Sequence, residues 1–234
     1  MRVKAIAHRG YPVKYPENTL SSFQAAYELG FSIVELDVHL SKDGIPVVMH
    51  DRTIDRMTNG KGFVQDFTMA ELKSFTVKGG ERIPTLEEAL TLLKDQAIVS
   101  IELKQDGQGY FGLEEAVLQT IKKLDMVNQV YVISFNFASI AKMRQLSDEI
   151  ELGPIIAVET PSIFQLIEEV KAKYLAIKID CLSDKYVIEC EKRGIQLIIW
   201  PVDTEEEMKQ VQRYPSVLGT TNELERFVQL FYQY

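Results

Sequence analysis

At 234 residues, with 46% apolar and 26% charged side chains, the chain has ordinary globular composition and is long enough to build one large core. The formal net charge of −8 and the lack of any basic run argue against a nucleic-acid partner, so an anionic substrate would need cations gathered locally. No apolar run is long enough to span a bilayer, no basic and apolar leader opens the chain, and Cys181 and Cys190 read as diverging on one helix; the expectation is a reduced, cytoplasmic protein.

In chain order, Val3 to Arg9 reads as a short strand ending in His8-Arg9-Gly10. A turn with Pro12 and Pro16 leads to Asn18 or Thr19, the cap of a helix over Leu20 to Leu29 that Gly30 stops. Ile33 to Leu40 reads as the second strand. Residues two apart share a strand face, so Glu35, Asp37 and His39 point one way and Val34, Leu36, Val38 and Leu40 the other. Lys42-Asp43-Gly44 is a tight-turn signature, and Pro46 to Met49 returns as a strand that delivers His50-Asp51 beside the carboxylates. Arg52 to Arg82 carries glycines at 60, 62, 79 and 80 and one short helical stretch, Met69 to Phe75. It reads as an excursion over the top of the fold.

Pro84-Thr85 opens a helix to Leu93, and Ile98 to Lys104 repeats the earlier strand pattern, with Ser100, Glu102 and Lys104 on one face. Helix Leu113 to Leu124 follows, and strand and helix then alternate to the end. Strands starting at residues 3, 33, 98, 130, 152, 174, 195 and 217 make eight, each followed by a helix. This count matches an α/β fold, a closed (β/α)8 TIM barrel. An open doubly wound sheet would carry a glycine-rich phosphate loop after a strand, and none is present.

Such barrels keep their chemistry at the C-terminal strand ends. There the sequence places His8-Arg9, Glu35, Asp37, Glu102, Lys104, Phe135, Asn136, Asp180, Trp200, Asp203 and Thr221-Asn222. Asp180 and Asp203 read as caps or loop hydrogen-bonders, His39 as a solvent-facing hairpin residue, and Phe135 and Trp200, on general grounds, as core. Glu35, Asp37 and Glu102 differ. Three acids on apolar strands repel one another unless a cation lies between them, and an all-oxygen donor set suits Mg²⁺ or Ca²⁺ rather than zinc. A cation beside Arg9, Lys104, His8 and His50 makes a phosphate site: the charges balance negative charge growing at phosphorus, and imidazoles move protons near neutral pH.

The segments AHRGYPVKYPENTLSSFQAA, ELDVHLSKDGIPVVMHD and TIDRMTNGKGFVQDFTMAELK, followed by IPTLEEAL and IELK, resemble the glycerophosphodiester phosphodiesterase family over residues 6 to 104. VISFN and IIWPVDT fit its pattern more loosely. The resemblance implies a (β/α)8 barrel with a small insertion after strand two, about residues 51–83, and hydrolysis of small-molecule glycerophosphodiesters to sn-glycerol 3-phosphate and an alcohol. It implies one divalent cation, Mg²⁺ or Ca²⁺, on Glu35, Asp37 and Glu102, with His8 and His50 as the acid-base pair. Arg9 and Lys104 would hold the phosphate, and Phe135 and Trp200 would pack against the glycerol side. The family often has Thr-Asp after strand eight where this chain has Thr221-Asn222, so an acid is missing there. The short insertion suggests an open site and a small soluble diester. The rivals are a lysophospholipase D acting on single-chain lipids and, from another class, a non-catalytic phospholigand-binding barrel. The second has no use for two proton-transfer groups.

Overall fold

The computed structural model describes residues 3–105 and 109–232. Its strands are β1 (Val3–Ala7), β2 (Phe31–Leu40), β3 (Pro46–Val48), β4 (Ile98–Leu103), β5 (Val130–Ser134), β6 (Glu151–Ile156), β7 (Tyr174–Lys178), β8 (Gln196–Trp200) and β9 (Leu218–Thr221). Eight of them are parallel and run β1-β2-β4-β5-β6-β7-β8-β9, and β9 pairs with β1 to close the barrel. The ninth, β3, lies antiparallel on β2 outside that ring. The helices are α1 (Leu20–Glu28), α2 (Met69–Ser74), α3 (Leu86–Leu93), α4 (Leu113–Lys123), α5 (Phe137–Leu146), α6 (Ile163–Glu169), α7 (Asp184–Arg193), α8 (Glu205–Gln212) and α9 (Leu224–Tyr232). Among the described residues no helix is long and apolar enough to cross a membrane.

Strand alternation sorts the side chains into two cores. Outward residues such as Val34, Leu36 and Val38 are fully buried under the helices. Each is worth about 1.5–3 kcal/mol of burial. Inward residues Ile6, Ile33, Ile133, Ile155, Ala176, Ile198 and Leu218 fill the barrel's interior, with Tyr131 stacked on Tyr174 at 4.0 Å. Helix starts follow the sequence closely. Thr68, Thr85 and Thr204 each cap a helix and are answered by the glutamate three residues on. Such a reciprocal cap satisfies two orphan donors of the first turn.

The excursion over 51–83 closes on a small second core shared with Val47 and Met49 of the β3 segment and built from Ile54, Met57, Val64, Leu72 and Val77, with Phe67 edge-on to Phe75. Two expectations need correcting. β2 begins at Phe31, two residues early, because Val3 of β1 already pairs with Phe31. Cys181 is not in a helix with Cys190: it ends a 3-10 turn, and an extended Ser183 (φ −150°) separates that turn from α7. Both cysteines are buried and unpaired.

Candidate active site

β2 and β4 lie side by side with Glu35 opposite Ser100 and Asp37 opposite Glu102. Parallel partners in register face the same way, so three carboxylates converge inside the barrel mouth. Glu35, Asp37 and Glu102 are buried, and one oxygen from each lies within 4.8 Å of the others. Glu35 Oε1 is buried with no hydrogen-bond partner.

β1 ends in a tight turn. Arg9 (φ +57°) and Gly10 (φ +83°) are both left-handed, and a side chain on Gly10 would come within 2.7 Å of the Ser22 backbone. Glycine is therefore required there. The turn aims the Arg9 backbone N–H at Glu35 Oε2 (2.9 Å) and sets the guanidinium between Glu17 (3.1 Å) and Asp37 (3.3 Å). Lys104, just past β4, reaches Glu102 (2.7 Å) and Asp37 (3.3 Å). Asn18, also left-handed (φ +56°), donates its amide to Asp37 Oδ2 at 2.8 Å, while Thr19 takes the helix cap. His8 sits above Glu35, its Nε2 4.0 Å from the carboxylate. Asn222 turns its amide nitrogen to Asp203 (2.7 Å), which leaves its oxygen facing His8 Nδ1 at 2.9 Å. His8 therefore donates from Nδ1 and presents the Nε2 lone pair to the cavity.

β3 brings back the second histidine. Beyond the last ladder pair, Val38 with Val48, the Met49 N–H bonds the Asp37 carbonyl (3.0 Å), and His50 follows at the cavity. Its Nδ1 donates to Asp51 at 2.7 Å. Arg56, from the excursion, grips Asp51 with two nitrogens and Glu17 with two bonds. One ionic chain thus links Asp37, Arg9, Glu17, Arg56, Asp51 and His50. His39 corrects the sequence reading. It does not face solvent but is fully buried, bonded to Tyr110 and to the His50 carbonyl. The chain after β4 and the β3 segment close over it.

The opposite wall is apolar. Ile133, Ile155, Ala176 and Ile198 form the floor, and Phe135 and Trp200 meet edge to face at 5.4 Å on the rim. Trp200 Nε1 is buried without a partner. The cavity holds about 380 Å³, and His8, Arg9, Glu35, His50, Glu102, Lys104, Phe135 and Trp200 all line it. Asp37 is the exception, shielded behind Arg9, Lys104 and Asn18. Asp180 stands outside, exposed and paired with Lys178. Asp203 works as an anchor for Asn222 and Thr221.

Electrostatics separate these groups. Burial and the neighbouring Asp37 raise both Glu35 and Glu102 above the ordinary carboxylate range. For Asp37 burial acts the same way, but Lys104 and Arg9 outweigh it and hold the carboxylate low. Burial, helped by Arg9, pushes the His8 imidazole down to about 4, so His8 is neutral at pH 7. Asp51 is held down to about 2, chiefly by Arg56. Three crowded carboxylates with an orphaned oxygen fit a hard divalent cation, since like charges so buried cannot all ionise otherwise.

The profile of the glycerophosphoryl diester phosphodiesterase family matches residues 8–218. A glycerophosphodiester phosphodiesterase of Caldanaerobacter subterraneus subsp. tengcongensis is 36% identical over 219 residues, covering 90% of each chain. Among solved structures, an Oleispira antarctica phosphodiesterase in complex with the product sn-glycerol-3-phosphate is similar at TM-score 0.85 and 26% identity, over 97% of this chain and 95% of that one. A glycerophosphodiester phosphodiesterase of Thermotoga maritima is similar at TM-score 0.80 and 28% identity, over 98% and 99%.

Proposed function

The chain belongs to the glycerophosphoryl diester phosphodiesterase family, and on that premise we propose that it hydrolyses glycerophosphodiesters to sn-glycerol 3-phosphate and an alcohol, with His8 and His50 as the proton-transfer pair. The observation that carries this is the convergence, on one cavity, of two histidines that follow separate strands, two cations, and Glu35 and Glu102, with Asp37 of the same carboxylate cluster behind them.

Glu35, Asp37 and Glu102 would hold one divalent cation, Mg²⁺ or Ca²⁺. When bound, it supplies positive charge against the negative charge that grows on the phosphoryl oxygens. Arg9 grips those oxygens as a planar fork and Lys104 as a point charge. The two imidazoles are backed differently. His8 has a neutral amide behind it and is kept uncharged, so its Nε2 suits the base that takes a proton from the nucleophile. His50 has a carboxylate behind it, which accepts its Nδ1 hydrogen and orients the ring. It would act as the acid, giving a proton from Nε2 to the departing alkoxide as the new oxygen–phosphorus bond forms and the old one breaks. Phe135 and Trp200 would cover the glycerol side, with the Trp200 indole N–H free to donate to an oxygen of the diester. A cytoplasmic location, where thiols stay reduced, fits the two unpaired cysteines.

The test is a panel of glycerophosphodiesters and lysolipids, assayed with Mg²⁺, with Ca²⁺ and after chelation. Glycerol 3-phosphate released from soluble diesters only when a cation is present is the expected result. Lysophosphatidic acid released from lysolipids instead would make the protein a lysophospholipase D. Neither product under any condition would leave a binding barrel.

A further inference from the structure

We propose that His39 is a positioning residue for catalysis: its buried imidazole holds the His50 backbone in place and ties it to Tyr110 in the chain after β4. The inference rests on the proposed role of His50 in proton transfer.

The geometry assigns every atom of this link. His39 Nε2 lies 3.0 Å from the His50 carbonyl oxygen. A carbonyl can only accept, so Nε2 carries the hydrogen. In a neutral ring Nδ1 is then an acceptor, and the Tyr110 hydroxyl lies 2.7 Å from it as the donor. The rings of His39 and Tyr110 also meet edge to face at 5.4 Å. His39 has no exposed surface, so it cannot swap these partners for water without moving.

The place of this link in the fold gives it a catalytic consequence. The β2–β3 ladder ends at Val38 with Val48, and Met49 is pinned once more through its N–H. His50 lies one residue past that pin. The Asp51 bond holds its ring and not its backbone. The His39 bond is what fixes the peptide from which the His50 ring projects. A displacement of an ångström at a proton-transfer group is enough to cost a large part of the rate. Tyr110 is itself anchored by Gln105, through the Tyr110 N–H and carbonyl. The hold on His50 therefore comes from β2 and from the chain that leaves β4, the two strands that supply the three carboxylates.

A buried histidine that merely fills space makes a different prediction, and a double-mutant cycle separates the two. His39→Leu keeps the apolar bulk and removes both bonds. Its kcat on glycerophosphocholine should fall roughly 10- to 100-fold, with KM changed less than about threefold, a loss that stays at or below the lower end of the ~10²–10⁴-fold one acid-base group contributes. His39→Gln should recover most of that loss, because its amide can donate to the His50 carbonyl and its oxygen can accept from Tyr110. In a His50→Ala background, His39→Leu should cost less than about twofold, since the residue it positions is gone. An equal loss in both backgrounds would show a structural role and overturn the inference. If His39→Leu does not fold, as judged by thermal unfolding, Tyr110→Phe takes its place in the cycle with the same expectation at a smaller size. If His50→Ala retains full activity, the proton-transfer role of His50 falls. A loss in His39→Leu would then belong to the fold, and the positioning role falls with it. A fully impaired His50→Ala with additive losses sinks the positioning role alone.

Discussion

One cavity is lined by two walls that the same strand alternation produces and that differ in everything else. On β1, β2 and β4 the inward positions and strand ends carry His8, Arg9, Glu35, Asp37, Glu102 and Lys104; on β5 to β8 they carry Ile133, Ile155, Ala176 and Ile198, with Phe135 and Trp200 at the rim. The apolar wall is stable by burial alone. The charged wall is not: a buried carboxylate must be paired or protonated, and here the carboxylates draw on Arg9 in the turn after β1, on Asn18 and on Lys104 after β4. The difference shows where stability has been exchanged for chemistry. The side of the barrel that needs the most partners is also the side that the excursion and the β3 hairpin cover.

The largest effect should come from breaking the charged wall at a proton-transfer group. His8→Ala should lower kcat by at least ~10²-fold, measured as glycerol 3-phosphate release, without loss of thermal stability. A fall of only a few-fold would move His8 from chemistry to packing. The apolar wall should answer more weakly and in a different parameter. Trp200→Ala removes an aromatic face and a buried N–H; it should raise KM roughly 3- to 10-fold while kcat holds within about twofold. A loss confined to kcat would mean that this wall aligns the reacting atoms rather than binding the glycerol side.

The two walls were not equally legible in the sequence. Apolar strands, T-x-x-E caps and an E-x-D pattern on one strand are local signals, and they located the barrel and brought Glu35, Asp37 and Glu102 together through a register that eight-strand closure imposes. What escaped was non-local. Arg56 reaches Glu17 across 39 positions and Tyr110 reaches His39 across 71, and nothing in either local pattern announces the partner. Asn18 read as one of two candidate caps because its type favours caps; Thr19 takes the cap, and the left-handed backbone of Asn18 turns it to Asp37. Period-two alternation put His39 on the correct inward face. Its burial comes from chain packed over the strand end, which a strand pattern does not contain. The asparagine after the last strand read as a missing acid; in the fold it relays Asp203 to His8 and fixes which imidazole nitrogen faces the cavity.

The central claim is that the charged wall is a cation site completed by a divalent metal ion. Calorimetric titration of Mg²⁺ or Ca²⁺ into the protein near pH 6, in two buffers of different ionisation enthalpy, tests it most directly. Because burial and Asp37 raise Glu35 and Glu102, the metal-free site holds protons at a pH where free glutamates have lost them. A cation needs those oxygens bare, so binding should release protons, and affinity should rise with pH until the carboxylates are ionised without help. Saturable binding of one ion with buffer-dependent heat, abolished in Glu35→Gln together with the activity, is the predicted result. Binding that survives Glu35→Gln unchanged, or full activity after exhaustive chelation and dialysis, would contradict it.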